Sequence, residues 1–159
     1  MTLIELLVVM SIMTIIVSAI VVAVFAVMRR GQVQGTEGLL EQLALGLEQY
    51  KMSYRMYVPL SDVAYVVNAA DTAQLQRSTG ALWQALELDG QFAAVPMTFK
   101  KEGGDFTDPK TGAIKKWCYY QDAWRQPLRY ECLFPWKAYK LTSVGPDLAF
   151  DTGDDIVKE

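Results

Sequence analysis

The chain has no histidine among its 159 residues, so it lacks the side chain that most often serves as general base and metal ligand. It has only two cysteines, Cys118 and Cys132, too few for a disulfide-built scaffold. No Ser/His or Cys/His set can be assembled, and the reading is not an enzyme. Lysine and arginine are absent before Arg29. The formal net charge is −3, with no basic footprint of the kind a nucleic-acid partner requires, and none is expected. The length suits one small domain with an appendage.

What the first 28 residues have instead is apolar side chains. Leu6 to Met28 carry no charge, and as a helix they would be about 35 Å long, enough to cross a hydrocarbon core of about 30 Å. Arg29 and Arg30 then mark an interface. The run is too long for a cleaved signal peptide, and nothing basic precedes it. A plain membrane anchor leaves Glu5 unexplained, because an ionisable group in such a segment costs a few kcal/mol without a partner. The nearest positive group is the α-amine of Met1, and a neighbouring copy is better placed to offer it than the same helix. Glu5 therefore reads as a device between chains.

The stretch MTLIELLVVMSI resembles the mature N-terminus of the type IV pilin and type II secretion pseudopilin superfamily, with Thr2, Leu3, Ile4, Glu5 and Leu6 matching and Met1 standing where phenylalanine is commoner. The resemblance implies that a prepilin peptidase removes a short basic leader and that the new N-terminal residue is methylated. It implies that Glu5 pairs with the amine of an adjacent subunit during assembly. Thr14 and Val22 stand where the family often has a helix-unwinding glycine and proline. The β-branched run from Thr14 to Val22 still lowers helix propensity, so local loss of helix is expected there in a filament.

Beyond Arg30 the pattern becomes amphipathic. Leu40, Leu43, Leu47, Tyr50, Tyr54 and Tyr57 recur every three or four residues, a one-sided helical stripe. Gly31, Gly35 and Gly38 weaken the junction between the halves. One nearly continuous helix is expected from residue 2 to about 56. Residues 1–28 would lie in lipid or a filament core, and residues 29–58 under a globular head that spans 59–159. ALGLEQYKMSYRMYVP resembles the pseudopilin helix end, with Arg55 where a turn glycine is common and Pro59 closing the region.

In the head, residues 60–97 read as a connecting loop with helical pieces: a capping box at Asp71 and Gln74, and a short helix over Ala81–Leu88. Lys100–Gly112 is polar and turn-rich, hence a surface loop. Lys116–Tyr120, Pro127–Phe134 and Tyr139–Val144 read as three antiparallel strands laid across the helix. The fold class is α+β: a long N-terminal helix, hydrophobic in its first half, packed against a small antiparallel sheet, pilin-like. DAWRQPLRY resembles a pseudopilin motif through Asp122, Trp124, Pro127 and Tyr130, read as a buried indole and a fixed turn. A hairpin centred on Arg125 would set Cys118 opposite Cys132, close enough for a disulfide in an oxidising exported location.

The tail SVGPDLAFDTGDDIVKE gathers Asp147, Asp151, Asp154 and Asp155. Their oxygens suit calcium, yet the spacing is not that of an EF-hand, and spacing alone favours a solvated acidic loop over a calcium site. YKLTSVGPDLAFDTGDDI resembles the C-terminal calcium loop of major pseudopilins. That resemblance implies a calcium ion held by Asp147, by some of Asp151, Asp154 and Asp155, and by a backbone carbonyl, here that of Val144.

The expected function is a structural homo-oligomeric subunit of a helical filament, most like the major pseudopilin of a type II secretion system. It would be a single-pass inner-membrane protein before assembly and a periplasmic or extracellular filament after it. Its partners would be copies of itself, the prepilin peptidase and an assembly platform. The alternatives are a type IV pilus subunit for adhesion, twitching or DNA uptake, and a monomeric membrane-tethered calcium-binding module.

Overall fold

In a computed structural model, residues 3–60, 67–107 and 112–159 are described; Met1 and Thr2 lie outside these, as do residues 108–111 of the expected surface loop. One helix, α1 (Leu3–Tyr54), runs unbroken for 52 residues, about 78 Å at 1.5 Å per residue. Through the Thr14–Val22 run it stays helical in the single chain. Its hydroxyls turn back onto its own carbonyls: Ser11 on Leu7 and Thr14 on Met10, each at 2.8 Å. That arrangement satisfies polar groups where no water is needed.

The head begins where α1 acquires a buried face. Thr36, Leu39, Leu40, Leu43 and Leu47 are at most 2 % exposed, and the four leucines join one core with Leu82, Leu86, Tyr120, Leu128, Tyr130 and Leu141. The stripe read from the sequence holds through Leu47 and the partly buried Tyr50, then fails. Tyr54 is exposed and only leans on Tyr50, ring centroids 4.5 Å apart. The helix stops there because Arg55 takes a left-handed φ of 60°, with its N–H donating to the Lys51 carbonyl at 2.7 Å. Tyr57 is buried from beyond the helix end, donating to Glu48 at 2.6 Å and accepting from Lys51 at 2.8 Å.

Helix α2 (Thr72–Trp83) starts at Asp71, whose carboxylate accepts from the N–H groups of Ala73 and Gln74. The return arm of the expected capping box goes elsewhere, since Gln74 accepts from the Asn68 N–H. The short helix expected at Ala81–Leu88 is instead the end of α2 and a π-helical turn over Gln84–Asp89.

The sheet differs from the single three-stranded one expected. Strand β1 (Lys100–Thr107) pairs antiparallel with β2 (Ile114–Tyr120), so most of the polar segment read as a surface loop is a strand. The Gly103–Gly104 pair that suggested a turn marks an irregularity in the ladder, and a Cβ at Gly103 would collide with the Trp117 indole. The glycine clears the space an aromatic ring from the next strand fills. Gly80 of α2 clears the other side, where a Cβ would lie 2.7 Å from the same ring. A second sheet has the order β3 (Arg129–Glu131), β4 (Lys140–Ser143), β5 (Ile156–Lys158), all antiparallel. The last of these, formed by the tail, was not expected.

Candidate functional site

Two regions carry the sequence-derived candidates: the first half of α1 and the C-terminal loop. Every residue of α1 from Leu3 to Gly31 is exposed, including Leu3, Ile15, Val22 and Phe25 at two-thirds or more. The helix is long and apolar enough to cross a membrane, and none of its most apolar window is covered by the rest of the chain. Each large aliphatic side chain left in water forgoes about 1.5–3 kcal/mol of burial. Water alone is therefore a poor solvent for this segment. Glu5 sits in the first turn of α1, where the helix dipole favours a carboxylate.

The motif residues Asp122, Pro127 and Tyr130 prove to be the joint between helix and sheets. Asp122 is 1 % exposed. Its Oδ1 accepts from the N–H groups of Trp124 and Gln126 at 2.9 Å, and its Oδ2 from the Ser143 hydroxyl at 2.8 Å, tying the turn to β4. Burial pushes its carboxyl pKa up, against the pull of these hydrogen bonds. The Tyr130 hydroxyl donates to the Val58 carbonyl at 2.9 Å. The Trp124 indole is only half-buried and lies outside the core, so the buried indole expected of the motif is not found.

The cysteines are a correction: both are free thiols, Cys118 half-buried and Cys132 buried. The hairpin meant to bridge them does not form as drawn. Its turn is held by Gln121 opposite Pro127, and beyond that single bridge the strands part: β2 pairs with β1, and β3 pairs with β4. On its other edge Cys118 lies opposite Glu102 of β1. Desolvation pushes both thiol pKa values up, as expected of unreactive thiols.

In the C-terminal loop, Val144 is buried and leads into a 3-10 turn over Gly145–Asp147. Gly145 has a φ of 68°, and a Cβ there would run into the Asp154 backbone, which brings the two ends of the loop together. Asp154 accepts from the Asp147 N–H at 3.2 Å and from the Thr152 hydroxyl at 2.7 Å. The Thr152 bond is the main reason its carboxyl is held below the usual range. Asp155 Oδ2 accepts from the Asp151 N–H at 2.7 Å, while its Oδ1 is buried without a hydrogen-bond donor. Asp151 turns away to Arg129. Among the described residues, no three acidic or thiol side chains converge closely enough to hold a metal. The loop thus gathers the predicted donors without setting them as ligands.

Sequence reasoning missed one pair here, Arg129 with Asp151, because nothing in the local pattern of RYE announces a buried guanidinium. It also missed the Lys100–Glu87 ion pair, in which Glu87 also accepts from the Tyr120 hydroxyl at 2.8 Å, because its three members come from separate elements. No protein-family model, curated protein or solved structure matches the chain.

Proposed function

We propose that this chain is the repeating subunit of a helical, pilus-like filament, held in the inner membrane before assembly and most similar in role to the major pseudopilin of a type II secretion system. The observation that carries the reading is the pairing of a covered and an uncovered half in one continuous helix. From Thr36 onward α1 is roofed by its own head, whereas from Leu3 to Gly31 it is bare. A bare apolar helix is satisfied by lipid first and by other copies of itself afterwards, and a subunit moving between the two needs both. Glu5 fits that transfer. During assembly a neighbouring copy would bring its Met1 amine to this carboxylate at the end of the helix.

Calcium belongs to the same reading. Asp147, Asp154, Asp155 and main-chain carbonyls such as that of Val144 would supply hard oxygen donors, with the buried, donorless Asp155 Oδ1 as the atom an ion would serve best. Asp151 is left out of this set because Arg129 holds it. Binding would require the loop's internal hydrogen bonds to be exchanged for ligand bonds.

The test is expression with a matching secretion platform. The chain is expected in carbonate-resistant membranes and, on overproduction, as thin filaments in sheared supernatants. A chain found only as a soluble monomer would defeat the proposal.

A further inference from the structure

A cleft of about 740 Å³ opens where α1 leaves its apolar segment, between the helix and the underside of the head. One wall is the α1 face formed by Met28, Gly31, Gln32 and Gly35, spaced three and four residues apart. The other includes Lys101 at the start of β1 and Arg125 in the turn below Asp122. We infer that this cleft holds the phosphate headgroup of an anionic phospholipid while the subunit is in the membrane. The inference rests on the membrane part of the proposed function and not on filament assembly.

Four features point the same way. The first is depth. Met28 ends the charge-free run, and Met28 to Gly35 covers about 10 Å along the helix axis. A bilayer adds roughly 5–7 Å of headgroup layer to each side of its hydrocarbon core. The cleft therefore spans the layer where phosphates lie. The second is charge. Lys101 and Arg125 are both exposed, and among the described residues neither has a carboxylate partner. The one carboxylate lining the cleft, Asp122, is buried and engaged by three donors. The third is room. Gly31 is open: outside its own stretch of helix no atom comes within 4 Å of where a Cβ would stand, so this part of the cleft wall is bare backbone. The fourth is the underside itself, where Met97 is 68 % exposed next to the cleft-lining Thr98 and Phe99. An exposed methionine suits the apolar side of a headgroup layer.

Arg125 adds a conformational argument. It has a φ of 64°, where a glycine would be unstrained, and its N–H donates to the Asp122 carbonyl at 3.1 Å. Replacing it with glycine removes the charge and relieves the backbone, so loss of lipid binding in Arg125→Gly could not be ascribed to unfolding.

The test uses the full chain in a neutral detergent, titrated with phosphatidylglycerol, phosphatidylcholine or free glycerol phosphate, with bound lipid counted by native mass spectrometry. The inference expects one phosphatidylglycerol retained in preference to phosphatidylcholine. Lys101→Gln combined with Arg125→Gly should weaken that retention about tenfold or more, since each basic residue near a membrane surface contributes to anionic-lipid affinity. Gly31→Leu should weaken it similarly with charge unchanged, by filling the cleft. Arg29→Gln with Arg30→Gln, whose side chains line a separate groove with Ala26 and Val33, should leave the preference in place. Equal retention of the two lipids, equal retention by wild type and cleft variants, or loss only in the Arg29/Arg30 variant would overturn the inference. Displacement of the lipid by equimolar glycerol phosphate would also overturn it, by making the site one for a soluble phosphate. Carbonate extraction of the same chains separates the two readings: a chain that never enters membranes defeats the proposed anchoring, whereas an inserted chain without lipid preference defeats only the cleft.

Discussion

Arg129 and Asp151 grip each other with two parallel bonds, Nη2 to Oδ1 at 2.8 Å and Nη1 to Oδ2 at 3.2 Å, joining β3 to the tip of the acidic loop. The guanidinium is buried, with its Cζ over the Phe150 ring 4.8 Å from the centroid, while the carboxylate is largely exposed. The hydrogen bond from Arg129 is the main reason the Asp151 carboxyl sits below the usual carboxylate range. A carboxyl depressed in the folded state stabilises the fold above its unfolded pKa of about 3.9 and stops doing so as pH falls through its folded value. Asp151→Asn should therefore lower the melting temperature of the detergent-solubilised chain at pH 7, and the gap from wild type should narrow as pH falls below the unfolded carboxylate value. A gap that stays constant across that range would contradict the pair's role.

The buried stripe of α1 predicts a sharp contrast between neighbours. Leu47 is 0 % exposed and Leu45 is 65 % exposed. Leu47→Ala should cost about 2–5 kcal/mol in urea unfolding, and Leu45→Ala within about 0.5 kcal/mol. Similar losses at both positions would mean that the helix is rotated relative to the head.

The free thiols predict a chain whose unreduced mass is that of the dithiol, with no loss of two hydrogens. In the native protein the half-buried Cys118 should alkylate before the buried Cys132, and both should react once denatured. A mass two hydrogens lighter would restore the expected bridge.

For calcium, the loop geometry narrows the expectation. The chain should melt higher in millimolar calcium than in chelator, by an amount that grows logarithmically with free ion and reaches about 2.7 kcal/mol at a hundredfold excess over the dissociation constant. Asp147→Ala should remove most of that gain. Asp151→Asn should keep most of it, because Asp151 serves Arg129 instead. Magnesium should substitute poorly. Superimposable melts with calcium and chelator would leave the loop an acidic surface closed by its own hydrogen bonds.

The helix was legible because its signals are long and local: an uninterrupted apolar run, then a stripe that repeats every three or four residues as far as Tyr50. Its end was less so, since nothing in SYRMY says that Arg55 will accept a left-handed φ. The strand pairing misled for a physical reason. Lys100–Thr107 is polar and holds two glycines, which favours a turn until the Trp117 ring that occupies their space is known. The tail strand β5 is three residues long, too short for periodicity to register. In the candidate sites, the acidic cluster could be read directly, but the buried Arg129 that claims one of its members could not.

The claim that matters most is that the bare half of α1 is built for exchange between lipid and neighbouring copies, with Glu5 as the device. The decisive measurement is the yield of sheared filaments from Glu5→Ala and Glu5→Gln beside wild type, at matched levels of membrane-inserted subunit. The account predicts that both variants insert and fold, giving wild-type melting temperatures, and that filament yield falls about tenfold or more, as an unmatched charge in a low-dielectric bundle requires. Filament yields equal to wild type from both variants would contradict it.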